Sequence, residues 1–270
     1  MVQDRIALLG VPYDAASSFQ RGSAGAPPVI REALRNPAGN GWTESGIDLG
    51  EAPLDDAGDL RFTEGEPGDA ARERIASAVD RIAGSGRKPL LLGGDHAVTY
   101  PILRGLRRHY RRLTVLHLDA HPDLYDDFEG DRYSHACPFA RVMEEGLADR
   151  LVQIGIRAAN AHQREQARRF GVEMIEMKDW RDGRPLELVG PVYISFDLDA
   201  LEPALVPGIA HREPGGFTVR QALAVIQSVP GLVGADLVEF NPANDIGGIT
   251  AAVCAKLVRE LAGRMLVDNP

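Results

Sequence analysis

Cysteine is scarce in this sequence, and so are aromatic residues and long apolar runs. The two cysteines, Cys137 and Cys254, stand far apart, which excludes a disulfide framework and a zinc site built from thiolates. No stretch approaches the roughly 18 uncharged apolar residues that a membrane-spanning helix needs. The first residues run into an apolar segment without a basic or serine-rich leader, so we expect a reduced, cytoplasmic protein.

Basic residues are also too few for a polyanionic partner. The chain has 30 lysines and arginines against 39 acids, a net charge of −9. Nucleic acids and anionic membranes bind concentrated basic surfaces, so neither is an expected partner. Apolar residues at 44% and charged residues at 26% are typical of a folded globular protein. At this length we expect a single domain that spans residues 1–270.

Short apolar runs alternate with amphipathic stretches along the chain. This alternation is typical of parallel strands that helices cover on both faces, so it predicts an α/β fold, a three-layer αβα sandwich with a mostly parallel, doubly wound sheet. Predicted strands cover residues 6–11, 89–92, 113–119, 151–156, 192–197 and 232–238. Predicted helices cover residues 70–82, 97–110, 162–170, 219–229 and 250–265, and predicted loops residues 21–28, 37–46 and 202–216. Such a sheet binds ligands beyond the carboxyl ends of its strands.

Polar residues at every second position follow the third predicted strand, in Asp119-Ala120-His121-Pro122-Asp123. In an extended chain alternate side chains project from one face, so the two aspartates and the histidine point together. Such crowding at the end of a buried strand is costly unless a cation neutralises it. The motif therefore favours a cation site, and an ordinary acidic turn is the alternative.

The fifth predicted strand ends in the same way, since Ser195, Asp197 and Asp199 share one face and the other face is apolar. One such strand alone would be weak evidence, because many strands end in solvated aspartates. Two strands of this kind indicate one cation site shared between them.

Paired glycines precede a further candidate ligand, in Gly93-Gly94-Asp95-His96. They allow a tight turn off a strand, which would present His96 at the sheet edge. Alone, His96 could be a capped or core residue, but the two aspartate motifs favour a ligand. Asp95 and His117 are predicted to lie behind the ligands or to be buried packing residues.

Four aspartates and two histidines are too many ligands for one catalytic ion. Oxygen and imidazole ligands without a thiolate suit Mn²⁺ better than structural zinc. Two ions about 3.5–4 Å apart would use all six groups and activate water near neutral pH. The sequence predicts two Mn²⁺ per chain, with the metal ligands His96, Asp119, His121, Asp123, Asp197 and Asp199.

These three motifs, in this order and spacing, resemble the signatures of the ureohydrolase family of arginases and agmatinases. The resemblance covers nearly the whole chain, and segments 124–136, 207–216 and 238–241 are most similar to plant-type arginases. It implies an arginase-like fold and a manganese hydrolase that releases urea from a guanidino compound, with L-arginine as the expected substrate. It also implies a homo-oligomer, a trimer or a hexamer.

The resemblance further implies a role for each site residue. Asp119 and Asp197 would bridge the ions, with His96 and Asp123 completing one site and His121 and Asp199 the other. The catalytic residues would be Asp123, which orients the attacking hydroxide, His135, which carries protons, and Glu239, which pairs with the substrate guanidinium. His211 is placed in a loop that lines the site, as a candidate substrate-binding residue.

Three residues of these motifs, Glu239, His135 and Cys137, also allow an interpretation without a catalytic role. Glu239 could be a surface or core-paired acid, and His135 could cap a helix. Cys137 lies beside His135 and could be read as a nucleophile, but a small buried residue is the favoured interpretation. The metal motifs favour a functional role for Glu239 and His135.

Two departures from animal and many bacterial arginases affect these expectations. His135 is followed by Ala136 instead of glycine, and Ala158, Ala159 and Asn160 stand where those arginases carry an acid for the substrate's α-amino group. Asn160 is then the candidate to bind an ammonium group. An agmatinase or another guanidino-acid hydrolase is the nearest alternative. Alternatives of other kinds are a catalytically silent metal-binding scaffold and a single-zinc deacetylase.

Overall fold

The fold is known from a computed structural model that describes residues 6–50 and 54–267. Its strands are β1 (Ile6–Gly10), β2 (Leu54–Asp59), β3 (Lys88–Leu92), β4 (Thr114–Leu118), β5 (Arg150–Ile156), β6 (Glu173–Glu176), β7 (Val192–Asp197) and β8 (Leu232–Val238). Its helices are α1 (Ala26–Leu34), α2 (Gly68–Gly84), α3 (Thr99–Leu106), α4 (Pro138–Glu144), α5 (Ala161–Phe170), α6 (Val219–Ser228) and α7 (Ile249–Leu266). The strands form one parallel sheet in the order β2-β1-β3-β8-β7-β4-β5-β6, which confirms the predicted fold class. In this part of the chain no helix is long and apolar enough to cross a membrane.

Successive residues of the central strands enter hydrophobic cores on opposite faces of the sheet. Leu116 and Leu118 of β4 join the core shared with α1, α6 and α7, whereas Val115 joins the core shared with α2 to α5. This burial on both faces explains why the strands read as apolar runs. Because His117 and Ser195 follow the same alternation as Val115 and Tyr193, the polar side chains of β4 and β7 lie on the α2 to α5 face.

Four elements were not predicted from the sequence: β2, β6, α1 and α4. The loop predicted at residues 21–28 extends too far, because α1 already begins at Ala26. Pro27 and Pro28 occupy the first positions of this helix, where a missing N–H removes no helical hydrogen bond. Helix α3 is shorter than expected, since residues 96–98 form one turn of 3-10 helix before it.

Gly94 allows the chain leaving β3 to pass directly against the loop that follows β1. A Cβ atom at this position would stand 1.8 Å from the carbonyl oxygen of Tyr13. The backbone N–H of Asp95 donates to that same oxygen over 3.0 Å. No side chain other than hydrogen fits here, and the close approach delivers the next residue, His96, to the carboxyl edge of the sheet.

Candidate functional site

The six predicted ligands meet at the carboxyl edge of the sheet. Strands β4 and β7 are neighbours, and Leu118 stands opposite Phe196, so Asp119 and Asp197 leave the sheet side by side. Five of the six side chains are buried, and that of His121 is 24% exposed. The structure therefore brings together all the residues that the three motifs singled out.

The imidazole of His96 faces three carboxylates. Its Nδ1 lies 3.1 Å from Asp119, 2.9 Å from Asp123 and 3.2 Å from Asp197, measured to the nearer oxygen of each. This nitrogen is nevertheless buried without a hydrogen-bond partner, because none of the three oxygens is aligned for one. A buried nitrogen ringed by carboxylate oxygens is the arrangement that a cation completes.

A second group of possible ligands forms around His121. Its Nδ1 lies 2.9 Å from Asp199 and 3.4 Å from Asp119. Asp119 belongs to both groups, with Oδ2 toward His96 and Oδ1 toward His121. One carboxylate of the cluster thus faces both groups.

A backbone N–H group holds one oxygen of each of three aspartates, and in Asp197 and Asp199 the other oxygen faces a histidine of the cluster. Asp119 Oδ1 accepts from the N–H of His121 over 2.5 Å. Asp197 Oδ1 accepts from the N–H of Asp199 over 2.8 Å, and Asp199 Oδ1 from Ala120 over 2.9 Å. Carboxylates held in this way are preset as metal ligands.

The buried aspartates of the cluster repel one another, so added positive charge would stabilise their ionised form. Burial and the neighbouring aspartates hold the pKa of Asp197 well above its usual value, and burial, followed by the charge of Asp119, raises the pKa of Asp199 to about 6. Burial opposes a charge on His121, but Asp199 and Asp119 outweigh it and raise its pKa well above its usual value. The donor set thus fits a pair of divalent cations.

A row of buried polar residues crosses the sheet beneath the cluster. Gln153 of β5 pairs in register with His117 of β4, His117 with Ser195 of β7, and Ser195 with Asp236 of β8. We call these four residues the polar row. Sequence reasoning missed Gln153 and Asp236, and the only signal was a single polar residue inside each apolar strand.

The polar row also indicates which nitrogen of His96 carries a proton. Asp236 accepts the hydroxyl protons of Ser195 (2.8 Å), Tyr193 (2.8 Å) and Thr99 (3.0 Å). The Ser195 oxygen is then left as an acceptor for His96 Nε2, 3.0 Å away. His96 therefore keeps its proton on Nε2 and presents a lone pair at Nδ1, as a metal ligand must.

Glu239 and His135 lie beside the cluster as a buried pair. His135 Nδ1 is 3.1 Å from Glu239 Oε1, and its Nε2 is 2.9 Å from the hydroxyl of Ser18. The same Glu239 oxygen accepts from the backbone N–H of His96 over 2.9 Å. Burial opposes a charge on Glu239, but His135 and this N–H outweigh it and hold its pKa below the usual value. Glu239 is therefore a carboxylate.

A cavity of about 210 Å³ opens above the cluster. Glu239, His135 and His211 all line it. The ring centre of His211 lies 5.4 Å from that of His135 and 5.8 Å from that of His121. Burial and the nearby charge of His135 lower the pKa of His211, so this ring is neutral.

Asn160 is engaged elsewhere. It is the N-cap of α5, where its side-chain oxygen accepts from the backbone N–H of Gln163 over 2.9 Å. Its amide nitrogen donates to the hydroxyl of Tyr125. Gln163, and not Asn160, is among the residues that line the cavity. A substrate contact of Asn160 stays a prediction.

Cys137 is fully buried, and its thiol donates to the backbone oxygen of Asp131 at 3.6 Å. Burial, followed by the charge of Asp123, raises the pKa of this thiol to about 12. It carries no thiolate at neutral pH, so the geometry agrees with a small buried residue.

The chain is similar to known hydrolases over nearly all of its length. Residues 4–263 match the model of the Arginase family. The chain is 46% identical to Arginase 1, mitochondrial, of Arabidopsis thaliana, with 96% of this chain and 80% of the relative covered. It is 36% identical to the human guanidino acid hydrolase, mitochondrial, over 94% of this chain and 76% of the relative. The solved structure of arginase from Medicago truncatula superposes with a TM-score of 0.91, at 43% identity over 97% of this chain and 88% of the other.

The expected cytoplasmic location is contradicted by these relatives. Both the plant arginase and the human hydrolase are named as mitochondrial proteins. The prediction was wrong because scarce cysteines exclude only an oxidising compartment and do not distinguish among the compartments that keep thiols reduced.

Proposed function

The chain belongs to the arginase family, and we propose that it is a hydrolase that converts L-arginine to L-ornithine and urea. The observation that carries this proposal is the pair of buried ligand groups that share Asp119, next to a cavity that Glu239 lines. The cluster and the cavity meet the two needs of the reaction, a strong nucleophile and a holder for a planar cation.

We propose two Mn²⁺ at the cluster, because oxygen and imidazole donors without a thiolate suit this ion. When bound, the pair of cations would activate a water molecule as the nucleophile. One site would comprise His96, Asp119, Asp123 and Asp197, and the other Asp119, His121, Asp197 and Asp199.

Glu239 supports binding of the guanidinium. Its Oε1 is occupied by His135 and by the backbone N–H of His96, and the structure gives its Oε2 no hydrogen-bond partner among residues 6–50 and 54–267. The carboxylate lines the cavity next to Asp123 and Asp197. An ionised carboxylate in this position can hold the planar cation with its carbon toward the cluster.

His135 is the proton donor in this scheme. The leaving group is an amine, which departs only when it is protonated. Burial disfavours a charged imidazole, but the hydrogen bond to Glu239 and its negative charge outweigh burial and raise the pKa of His135 to about 9. At neutral pH the ring therefore holds a proton at the wall of the cavity.

The outer wall of the cavity supports a substrate tail that carries a carboxylate. It comprises neutral side chains such as Ser18, Tyr125, Gln163 and His211. All the acids among its described lining residues belong to the cluster or are Glu239. A tail with only an ammonium group, as in agmatine, finds no carboxylate there, whereas the carboxylate of an amino acid finds hydrogen-bond donors.

The decisive experiment loads the purified protein with Mn²⁺, counts the ions per chain, and measures urea from L-arginine, agmatine and 3-guanidinopropanoate in parallel. We expect two ions per chain and the highest kcat/KM with L-arginine. Full occupancy without urea from any guanidino compound would contradict the proposal.

A guanidino-acid hydrolase is the second candidate. The acid-free outer wall favours it, since such substrates lack the α-amino group, and the human relative bears that name. Faster urea release from 3-guanidinopropanoate than from L-arginine would select this candidate.

We also propose that residues 1–270 form one catalytic domain and that the chain assembles as a trimer or a hexamer. Residues 1–5 and 268–270, at the ends of that range, lie outside the described part. Light scattering of the eluted protein measures the assembly directly.

A further inference from the structure

We propose that Gln153 is a positioning residue that fixes the ring tautomer of His117 and, through it, the orientation of the bridging carboxylate of Asp119. This inference rests on the metal site of the proposed function and assigns a role to a residue of β5 that is not itself a ligand. Three successive hydrogen-bond steps link the amide of Gln153 to Asp119, each set by which atoms can donate and which can only accept.

The first step fixes the side-chain amide of Gln153. This residue is fully buried, and one end of its amide lies 2.6 Å from the backbone oxygen of Pro122. A carbonyl oxygen can only accept, so that end must be the NH₂ group. The opposite orientation would place two oxygens in contact.

The second step fixes the proton of His117. The same amide nitrogen lies 3.0 Å from His117 Nδ1 and directs its second N–H there. Nδ1 must then be an acceptor, which leaves the ring proton on Nε2. Turning the ring over would set ring carbons against Gln153 Nε2 and Asp119 Oδ2 and lose both hydrogen bonds.

The third step connects the proton on His117 Nε2 to the metal ligand Asp119. His117 Nε2 lies 2.8 Å from Asp119 Oδ2, the oxygen that faces His96, and donates its proton there. The backbone N–H of His121 holds the other oxygen, Oδ1. With a donor on each oxygen, the plane of the carboxylate is set before any ion arrives. A proton on Nδ1 would instead turn two lone pairs toward each other and push Asp119 away.

Packing alone does not explain a glutamine at this position. Its neighbours in β5, Val152 and Ile154, are fully buried and apolar, and the side-chain oxygen of Gln153 is buried without a partner. An apolar residue of similar size would remove this unpartnered oxygen but leave the Pro122 oxygen and His117 Nδ1 without a donor, so a modest loss of stability is expected. The Mn²⁺ affinity of the folded variant therefore separates positioning from structural support: loss of the amide should weaken metal binding even in protein that stays folded.

The test compares Gln153→Met with Gln166→Met. Gln166 on α5 is also buried with an unpartnered amide nitrogen, but it lies outside the polar row and contacts Arg169. We expect Gln153→Met to weaken Mn²⁺ binding roughly tenfold or more by titration calorimetry, in protein that circular dichroism shows to be folded. Because Gln166 does not contact the metal ligands, the control should bind Mn²⁺ with an affinity within about twofold of that of the parent protein.

A double-substitution cycle tests whether Gln153 acts through His117. His117→Phe keeps a ring on Phe139 but removes both nitrogens, so adding Gln153→Met to it should cost no further Mn²⁺ affinity. A second loss of tenfold size in that background would overturn the proposal.

Neutron diffraction from crystals of the manganese-loaded protein is independent of every variant, and we expect deuterium on His117 Nε2. Deuterium on Nδ1 would overturn the proposal. Neither measurement depends on urea, so a parent protein that binds Mn²⁺ but releases no urea would contradict the proposed function and leave this inference intact.

Discussion

Glu239 Oε1 lies 3.1 Å from His135 Nδ1 and accepts, over 2.9 Å, from the backbone N–H of His96. One carboxylate oxygen thus joins the histidine at the cavity wall to the turn that carries the first metal group. Glu239 and Asp123 both adopt a left-handed backbone conformation, with φ angles of 64° and 49°. Such conformations are strained for residues other than glycine and concentrate at functional sites.

Glu239→Gln should lower kcat/KM for L-arginine about 10- to 100-fold, because a neutral amide loses a charge-assisted hydrogen bond worth about 1.5–3 kcal/mol. Steady-state urea release measures this, with the Mn²⁺ content checked in the same samples. Glu165→Gln, on the exposed side of α5, is the control. Equal activity in the two variants would exclude the assigned role of Glu239.

His135→Asn should reduce kcat about 10²- to 10⁴-fold, the usual contribution of a positioned proton donor. The bound Mn²⁺ should remain at two ions per chain, because His135 is not in either ligand group. Single-turnover urea release and metal counting separate the two effects. A loss of metal together with activity would show that His135 acts on the site's assembly and not on the proton.

Asp199→Ala should reduce tightly bound Mn²⁺ from two ions to one, because Asp199 belongs only to the group around His121. Elemental analysis after gel filtration measures the ratio. Asp127→Ala removes an exposed acid from the loop before α4 and should keep both ions. Two ions in the Asp199 variant would contradict the assignment.

Acid should remove the stabilisation that Glu44 provides. Hydrogen bonds from Arg220 and Gln227 lower the pKa of Glu44 to about 2. A carboxyl group with a depressed folded-state pKa stabilises fully above its unfolded pKa, near 4.5, and loses this as the pH falls toward 2. The difference in unfolding free energy between the parent and Glu44→Gln should therefore shrink between pH 5 and pH 3. Glu165→Gln, in an exposed pair with Arg168, should show little difference at either pH.

Asn160→Ala should lower the unfolding free energy by about 1 kcal/mol, the usual cost of a lost N-cap. Thr218→Ala is the matched control, because Thr218 caps α6 with the same reciprocal capping box. The KM for L-arginine tests the predicted substrate contact of Asn160, because a KM unchanged in both variants would contradict it. A KM that rises only in the Asn160 variant would instead support the substrate contact expected from the sequence.

The motifs predicted the cluster because strand alternation and parallel pairing leave little freedom. Asp119 and Asp197 end neighbouring buried strands, so their meeting follows from the sheet alone. Asp236 and Gln153 could not be recognised, since each is one polar residue in an apolar strand whose neighbours depend on strand order. Once that order is known, their registry with Ser195 and His117 explains them.

The elements missed in the sequence are those whose stability comes from few or unusual contacts. Strand β2 was not predicted because it is almost wholly exposed and acidic, and among the described residues it pairs with β1 alone. Arg31 of α1 holds it by hydrogen bonds to Asp56 and Asp59. Neither partner could be assigned before α1 was known, and the prolines of that helix read as a turn.

Both outer strands of the sheet carry negative charge. Strand β2 presents Asp55, Asp56 and Asp59, and β6 presents Glu173 and Glu176. These acids are paired with basic side chains such as Arg31, Arg87, Arg150 and Arg164, so two copies meeting edge to edge would crowd charged ion pairs together. Charged edges of this kind discourage a continuous intermolecular sheet. Any assembly of this protein should therefore form through its helices and loops, and its folded form should resist growth into fibres.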